Sequence, residues 1–166
     1  MRSPCLSLHL AWCDILNYRM VSEQIAKQII DTFTNGNKVI LIGNGGSATQ
    51  SSHFANEFLV KYKKRRQSLP AIALTDPGCI TAIGNDFGFK YVFSRPLSAL
   101  GKKGDLLIAL STSGTSENVL HAIRIANAKG IQVLDFPKKG KDVGEIQNYQ
   151  VKLMHEVVEL VENAYI

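Results

Sequence analysis

The stretch KVILIGNGGSATQSSHFANEF, Lys38 to Phe58, decides how the chain is read. An apolar run of strand length enters a glycine turn, and a helix-like segment follows with His53 and Glu57 one turn apart. That order spells a strand–turn–helix corner. Three readings of such a corner are open at this point: a dinucleotide site, a sugar-phosphate site, or a tight turn with no ligand.

Outward from the corner the same alternation recurs. Asp14 to Phe33 reads as an amphipathic helix, with Ile15, Leu16, Met20, Val21, Ile25, Ile29 and Phe33 near helical spacing, and TNGNK ends it. LPAIALT, DLLIAL and IQVLDF read as further strands, and DPGCITAIGNDFG as a short helix between turns. FKYVFSRPLSAL reads as helical but interrupted, because Pro96 kinks or breaks a helix interior. A helix is expected near Ser116 to Ala128, and a long one from Gly144 to Tyr165. The last is apolar on more than one face, which points to a subunit interface as well as an intrachain core. Strands alternating with helices predict an α/β domain with a mainly parallel sheet.

A chain of 166 residues suits one domain, and 45% hydrophobic with 20% charged residues is an ordinary soluble composition. No apolar run approaches the ~20 residues that span a bilayer. The start, MRSPCLSLHLAWCD, makes a poor secretory signal, since His9 interrupts its apolar run and Asp14 follows without a small-residue cleavage site. Cys5, Cys13 and Cys79 show no metal or disulfide spacing and fit reduced cytosolic thiols. The net charge of +5 concentrates in KYKKRR, Lys61 to Arg66, and in KKGK, Lys138 to Lys141. No nucleic-acid motif accompanies these cations, so a solvated helix end opposing the helix dipole is the preferred reading of the first. Anionic small molecules remain compatible with the positive field.

Ligands of parallel sheets bind beyond the carboxyl ends of the strands. Two loops stand there: GNGGSA, Gly43 to Ala48, and STSGTS, Ser111 to Ser116. The first formally matches the dinucleotide fingerprint, but its ribose-binding acid should follow ~20 residues on, and Asp76 comes later. The second offers the hydroxyls of Ser111, Thr112, Ser113 and Ser116 and a tight turn at Gly114, all at a helix start, which suits a phosphate dianion. A helix cap at Thr115 or Ser116 would explain one hydroxyl but not the cluster. His53 and Glu57 share a helix face and can ligate a metal, share a proton, or form a plain surface pair. Gln147 and His155 lie eight residues apart, about 12 Å of helical rise, so a single straight helix does not easily bring both to one atom.

GNGGSA with HFANE, PAIALT, ITAIGNDFGF, VFSR, LGKKGDLLIALSTSGTSENVL, and Gln147 followed by His155 together resemble the sugar isomerase (SIS) domain family, and within it the phosphoheptose isomerases. STSG alone marks a SIS domain; GNDFGF with HFANE is narrower. The resemblance runs from Asp14 to the C-terminus, which makes residues 14–166 a single SIS domain and 1–13 an N-terminal extension. It implies a flavodoxin-like three-layer αβα sandwich and a cytoplasmic homotetramer with active sites between subunits, without nucleic-acid or membrane partners. It implies interconversion of D-sedoheptulose 7-phosphate and D-glycero-D-manno-heptose 7-phosphate, feeding nucleotide-activated heptose for lipopolysaccharide or capsule. By the same resemblance Ser111, Thr112, Ser113 and Ser116 bind the phosphate, and Asn44, Gly45, Ser47, Asp86 and Gln147 contact substrate. Glu57 and His155 form the acid–base pair, and His53, Glu57, Gln147 and His155 are the zinc ligands of some members.

The chain departs from the family pattern between IQVLDF and EIQNYQ, where the family has a longer loop, a further strand and an aspartate at the position of Gly144. The sheet is therefore expected to be one strand short. Lys61 replaces a family arginine and keeps charge without a bidentate fork. The shortened segment also raises an alternative, a non-catalytic SIS protein acting as a sugar-phosphate sensor or a replication-initiator-binding adaptor.

Overall fold

The structure, a computed structural model, describes residues 4–166, with side chains from Asn17 onward. Cys5, Cys13, Ile15 and Leu16 lie outside the described side chains. Helix α1 (Pro4–Thr34) runs through the start expected at Asp14 and covers most of the proposed extension. It is followed by β1 (Val39–Gly43), α2 (Gly46–Leu59), β2 (Ala71–Ala73), α3 (Pro77–Asp86), a 3₁₀ turn (Phe89–Tyr91), α4 (Ser94–Leu100), β3 (Leu106–Leu110), α5 (Glu117–Ala128), β4 (Gln132–Asp135) and α6 (Val143–Asn163).

All strand pairs are parallel, in the order β2-β1-β3-β4. Every residue of β1 and β3 is buried, as expected for central strands covered on both faces. Alternation sorts their side chains into two cores. Val39, Leu41, Leu106, Ile108 and Leu110 pack towards α1, α2 and α6, with Ile29, Phe54, Phe58, Met154 and Val158. Ile40, Ile42, Leu107 and Ala109 pack towards α4 and α5, with Val92, Leu97, Val119 and Ala122. The result is the three-layer sandwich expected from the sequence, with four strands among the described residues. No fifth strand lies between Phe136 and Val143, where a short loop connects β4 to α6.

Buried Asp105 joins the starts of β1 and β3. Its carboxylate accepts from the Lys38 and Lys102 backbone N–H groups at 3.0 and 2.8 Å and from the Lys38 ammonium at 2.6 Å.

Pro96 does not break its helix. It falls in the first turn of α4, where its missing N–H would be unpaired in any case; the interruption lies earlier, between Tyr91 and Ser94. The segment Lys61 to Arg66 is not a solvated helix end either, because α2 stops at Leu59 and the chain turns back over its C-terminus.

Candidate active site

The order β2-β1-β3-β4 makes the chain depart to opposite sides from β1 and β3, and a crevice opens between the loops that follow them. The glycine loop after β1 and the hydroxyl loop after β3 are neighbours for this reason. A reciprocal amide pair links them: Asn44 Nδ2 donates to Asn118 Oδ1 at 2.9 Å, and Asn118 Nδ2 donates to Asn44 Oδ1 at 2.8 Å. Asn118 Oδ1 also accepts from the Val119 backbone N–H at 2.9 Å. Asn118 is buried and was not singled out from the sequence; its pattern there is that of an ordinary residue in the first turn of a helix.

In the hydroxyl loop Ser111 is buried, and its Oγ accepts from the Gly114 N–H at 3.0 Å. Ser113 Oγ accepts from the Thr115 N–H at 3.2 Å. Ser116 occupies the N-cap position of α5 without making a side-chain cap bond. The capped-helix explanation of the cluster therefore leaves this hydroxyl unassigned.

Helices α2 and α6 pack side by side and run in the same direction. Gln147 meets the start of α2, His155 its middle, and Glu162 the chain just beyond its end. His53 Nε2 and Glu57 Oε1 are 3.0 Å apart, and His155 Nε2 is 3.5 Å from His53 Nε2. One ligand atom from each of His53, Glu57 and His155 falls within 4.8 Å of the others, a group that could hold a metal ion. Gln147 stands elsewhere in the chain: its side-chain amide nitrogen fills the space that a Cβ on Gly46 would need, and its backbone carbonyl accepts from Gln50 Nε2 at 3.1 Å. Gly46 and His53 are separated by about 10 Å of helical rise. The close approach of the Gln147 amide explains a glycine at position 46.

Tyr62 stacks flat on His155, with ring centroids 5.2 Å apart and planes 5° from parallel. Its placement depends on Glu162. That buried carboxylate accepts from the backbone N–H groups of Tyr62, Lys63 and Lys64 at 2.9, 2.8 and 2.9 Å. Burial alone would push the Glu162 carboxyl up; the three N–H donors and the nearby Arg66 guanidinium outweigh it and hold the group below its ordinary range. Arg66, whose side chain is fully buried, donates to the Glu57 and Phe58 carbonyls and so closes the C-terminus of α2. Burial pulls its guanidinium below the ordinary arginine value. The cation does oppose the dipole, as the sequence suggested, but from inside the protein.

Of the remaining expected positions, Ser47 is buried at the start of α2, and Gly45 forms the N-cap. Asp86 ends α3 in an exposed position, its carboxylate accepting from Asn85 Nδ2 at 2.8 Å. Asp76 caps α3 by accepting from the Cys79 N–H at 2.7 Å. A carboxylate committed to that cap does not serve the dinucleotide reading. Lys61 is exposed in the loop after α2.

The SIS domain family model matches residues 20–136. A phosphoheptose isomerase of Campylobacter concisus is 44% identical over 160 residues, covering 86% of this chain and 85% of the relative. One of Glaesserella parasuis is 42% identical over 140 residues, covering 84% and 72%. Among solved structures, a phosphoheptose isomerase from Francisella tularensis superposes with a TM-score of 0.81 at 26% identity, covering 97% of this chain and 99% of that one. The enzyme from Neisseria gonorrhoeae gives 0.76 at 27% identity, covering 97% and 100%.

Proposed function

Because the chain belongs to the SIS-domain family and, within it, to the phosphoheptose isomerases, we propose that it interconverts D-sedoheptulose 7-phosphate and D-glycero-D-manno-heptose 7-phosphate. This is a cytoplasmic reaction that supplies heptose for surface polysaccharide. The observation that carries the reading is the meeting of Glu57 from α2 with His155 from α6.

The isomerisation moves one proton from C1 of the ketose to C2 of the aldose. A base takes the C1 proton, the electron pair closes a C1=C2 bond, and the carbonyl oxygen gains a proton. The enediol then loses the O1 proton and accepts one at C2. Glu57 is assigned to the carbon-bound proton and His155 to the oxygen protons, tasks that suit a carboxylate and an imidazole. Stacking on Tyr62 supports the assignment of His155, because it fixes the plane of the ring. Asn44, Gly45, Ser47 and Asp86 would position the sugar, and Ser111, Thr112, Ser113 and Ser116 its phosphate.

His53, Glu57 and His155 also fit a zinc ion. Zinc–nitrogen bonds of ~2.0–2.1 Å place tetrahedral ligands about 3.3 Å apart, and two of the donor pairs here stand at 3.0 and 3.5 Å. Bound there, zinc would polarise the substrate carbonyl. Gln147 is the assigned fourth donor; it reaches the group only by a swing of its side chain or from a second subunit.

A homotetramer with shared sites is supported by the surface around Asp86. Helix α3 sets Ile80 and Ile83 half-buried against the core, and Phe87 and Phe89 just beyond it are 50% and 60% exposed. Two exposed phenylalanines beside the aspartate assigned to the substrate suit a face that a second copy covers.

The test is incubation of the purified chain with sedoheptulose 7-phosphate in deuterated water, with and without added zinc, followed by NMR. Aldose carrying deuterium at C2 is expected. Ketose that binds but stays unchanged would replace the enzyme with a sugar-phosphate sensor.

A further inference from the structure

The loop between β4 and α6 carries Lys138, one of the basic residues that the isomerase reading leaves without a task. Its ammonium lies against the hydroxyl loop. A Cβ built on Gly114, in the middle of the hydroxyl loop, would stand 2.6 Å from Lys138 Nζ. Gly114 has a φ of +72°, which already favours glycine, and its bare Cα lets the ammonium lie against the loop. Lys138 Nζ is held by Asp135 Oδ2 at 3.2 Å, in a pair whose side chains are 28% and 55% exposed. A pair of that exposure is weak, so an arriving dianion competes well for the cation.

The loop needs such a cation. A phosphate monoester carries a charge of about −1.5 to −2 near neutrality. The hydroxyls and N–H groups of Ser111 to Ser116 are neutral donors. Ser111 Oγ and Ser113 Oγ each accept a backbone N–H, which leaves their own O–H protons to be donated outward. Ser116 makes no side-chain cap bond, and the Lys138 ammonium lies against Gly114 between these hydroxyls in the chain.

We propose that Lys138 is a phosphate-binding residue, the charged partner of the hydroxyl loop for a phosphate monoester dianion. The inference rests on the isomerase reading of the same loop and adds a residue to it. Because the β4–α6 connection is short, its lysine lies against Gly114 within the same chain.

The test is calorimetric titration of the full chain with inorganic phosphate, for the wild type, Lys138→Met, Lys138→Arg, and Lys27→Met as a control on α1. Loss of one charge-assisted bond should weaken phosphate binding about tenfold or more in Lys138→Met. Lys138→Arg should recover most of the affinity, Lys27→Met should match the wild type, and melting temperatures should stay together. Equal affinity in the wild type and Lys138→Met overturns the proposal, as does a wild type that binds no phosphate. If phosphate binding is lost in Lys138→Met but the wild type fails to isomerise sedoheptulose 7-phosphate, the isomerase reading falls and Lys138 keeps its role. If the wild type turns over and Lys138→Met binds phosphate unchanged, Lys138 leaves the site and the isomerase reading stands.

Discussion

Replacing Glu162 by glutamine tests whether one buried charge organises the wall beside His155. The substitution keeps shape and removes charge. Glu162 Oε1 accepts from the Tyr62 N–H, and Oε2 from the Lys63 and Lys64 N–H groups. An amide NH2 at either position faces at least one backbone N–H, donor against donor. Each lost charge-assisted bond is worth about 1.5–3 kcal/mol. The fully buried Arg66 side chain, 3.7 Å from Glu162 Oε1, also loses its counter-charge, and breaking a buried pair costs about 3–5 kcal/mol. Allowing for relaxation, a loss of about 3 kcal/mol follows, or a fall in melting temperature of roughly 6–12 °C for a chain of this size.

The pH dependence gives an independent check. The folded Glu162 carboxyl lies below its ordinary value, so in the acid range the unfolded chain binds the proton first. Its stabilisation is fully present above the unfolded pKa and is lost as pH falls through the folded one. Wild type should therefore lose stability on acidification more steeply than Glu162→Gln. The assay is thermal melting by circular dichroism across the acid range and at neutrality. A variant that melts within about 2 °C of wild type at neutral pH, or one with the same acid slope, would refute the reasoning.

Two further outcomes concern residues of α6 and α2. Gln150 is fully buried and, among the described residues, neither of its amide atoms has a hydrogen-bond partner, so Gln150→Met should stabilise the chain by about 1 kcal/mol in urea unfolding; equal or lower stability would show that the amide is satisfied by bound water. His53→Ala should lower zinc affinity by more than about 100-fold in competition with a chromophoric chelator, since outer-sphere partners alone account for 10–100-fold; an unchanged affinity would remove His53 from the ligand set.

The sandwich was legible because β1 and β3 are unbroken apolar runs between turn residues, a pattern that fits few things besides a covered parallel strand. Pro96 misled because a proline's effect depends on its position in a helix, and that position was set by where the chain unwinds after Tyr91. The meeting of His53, Glu57 and His155 could be read only through resemblance. Spacing placed the first two on one face, but their approach to His155 depends on the same-direction packing of α2 and α6. Glu162 and Asn118 were invisible, and Arg66 showed only as part of a basic run, for a common reason. Each is a polar residue in an ordinary-looking helix or loop, and its role comes from backbone groups or a side chain far away in the chain. Lys138 was visible as charge but not as a neighbour of Gly114.

The exchange of amides between Asn44 and Asn118 constrains how this chain can change over generations. Each residue is the complement of the other, and the two codons lie 74 positions apart. A substitution at Asn118 leaves the Asn44 amide with neither of these bonds, and one at Asn44 leaves the Asn118 NH2 without its acceptor while its Oδ1 keeps only the Val119 N–H. A lineage that alters the pair must cross an intermediate weaker than both endpoints, or change both positions together. The two loops are thus tied as units of inheritance as well as of structure, and a chimaera taking one from a relative should import the other.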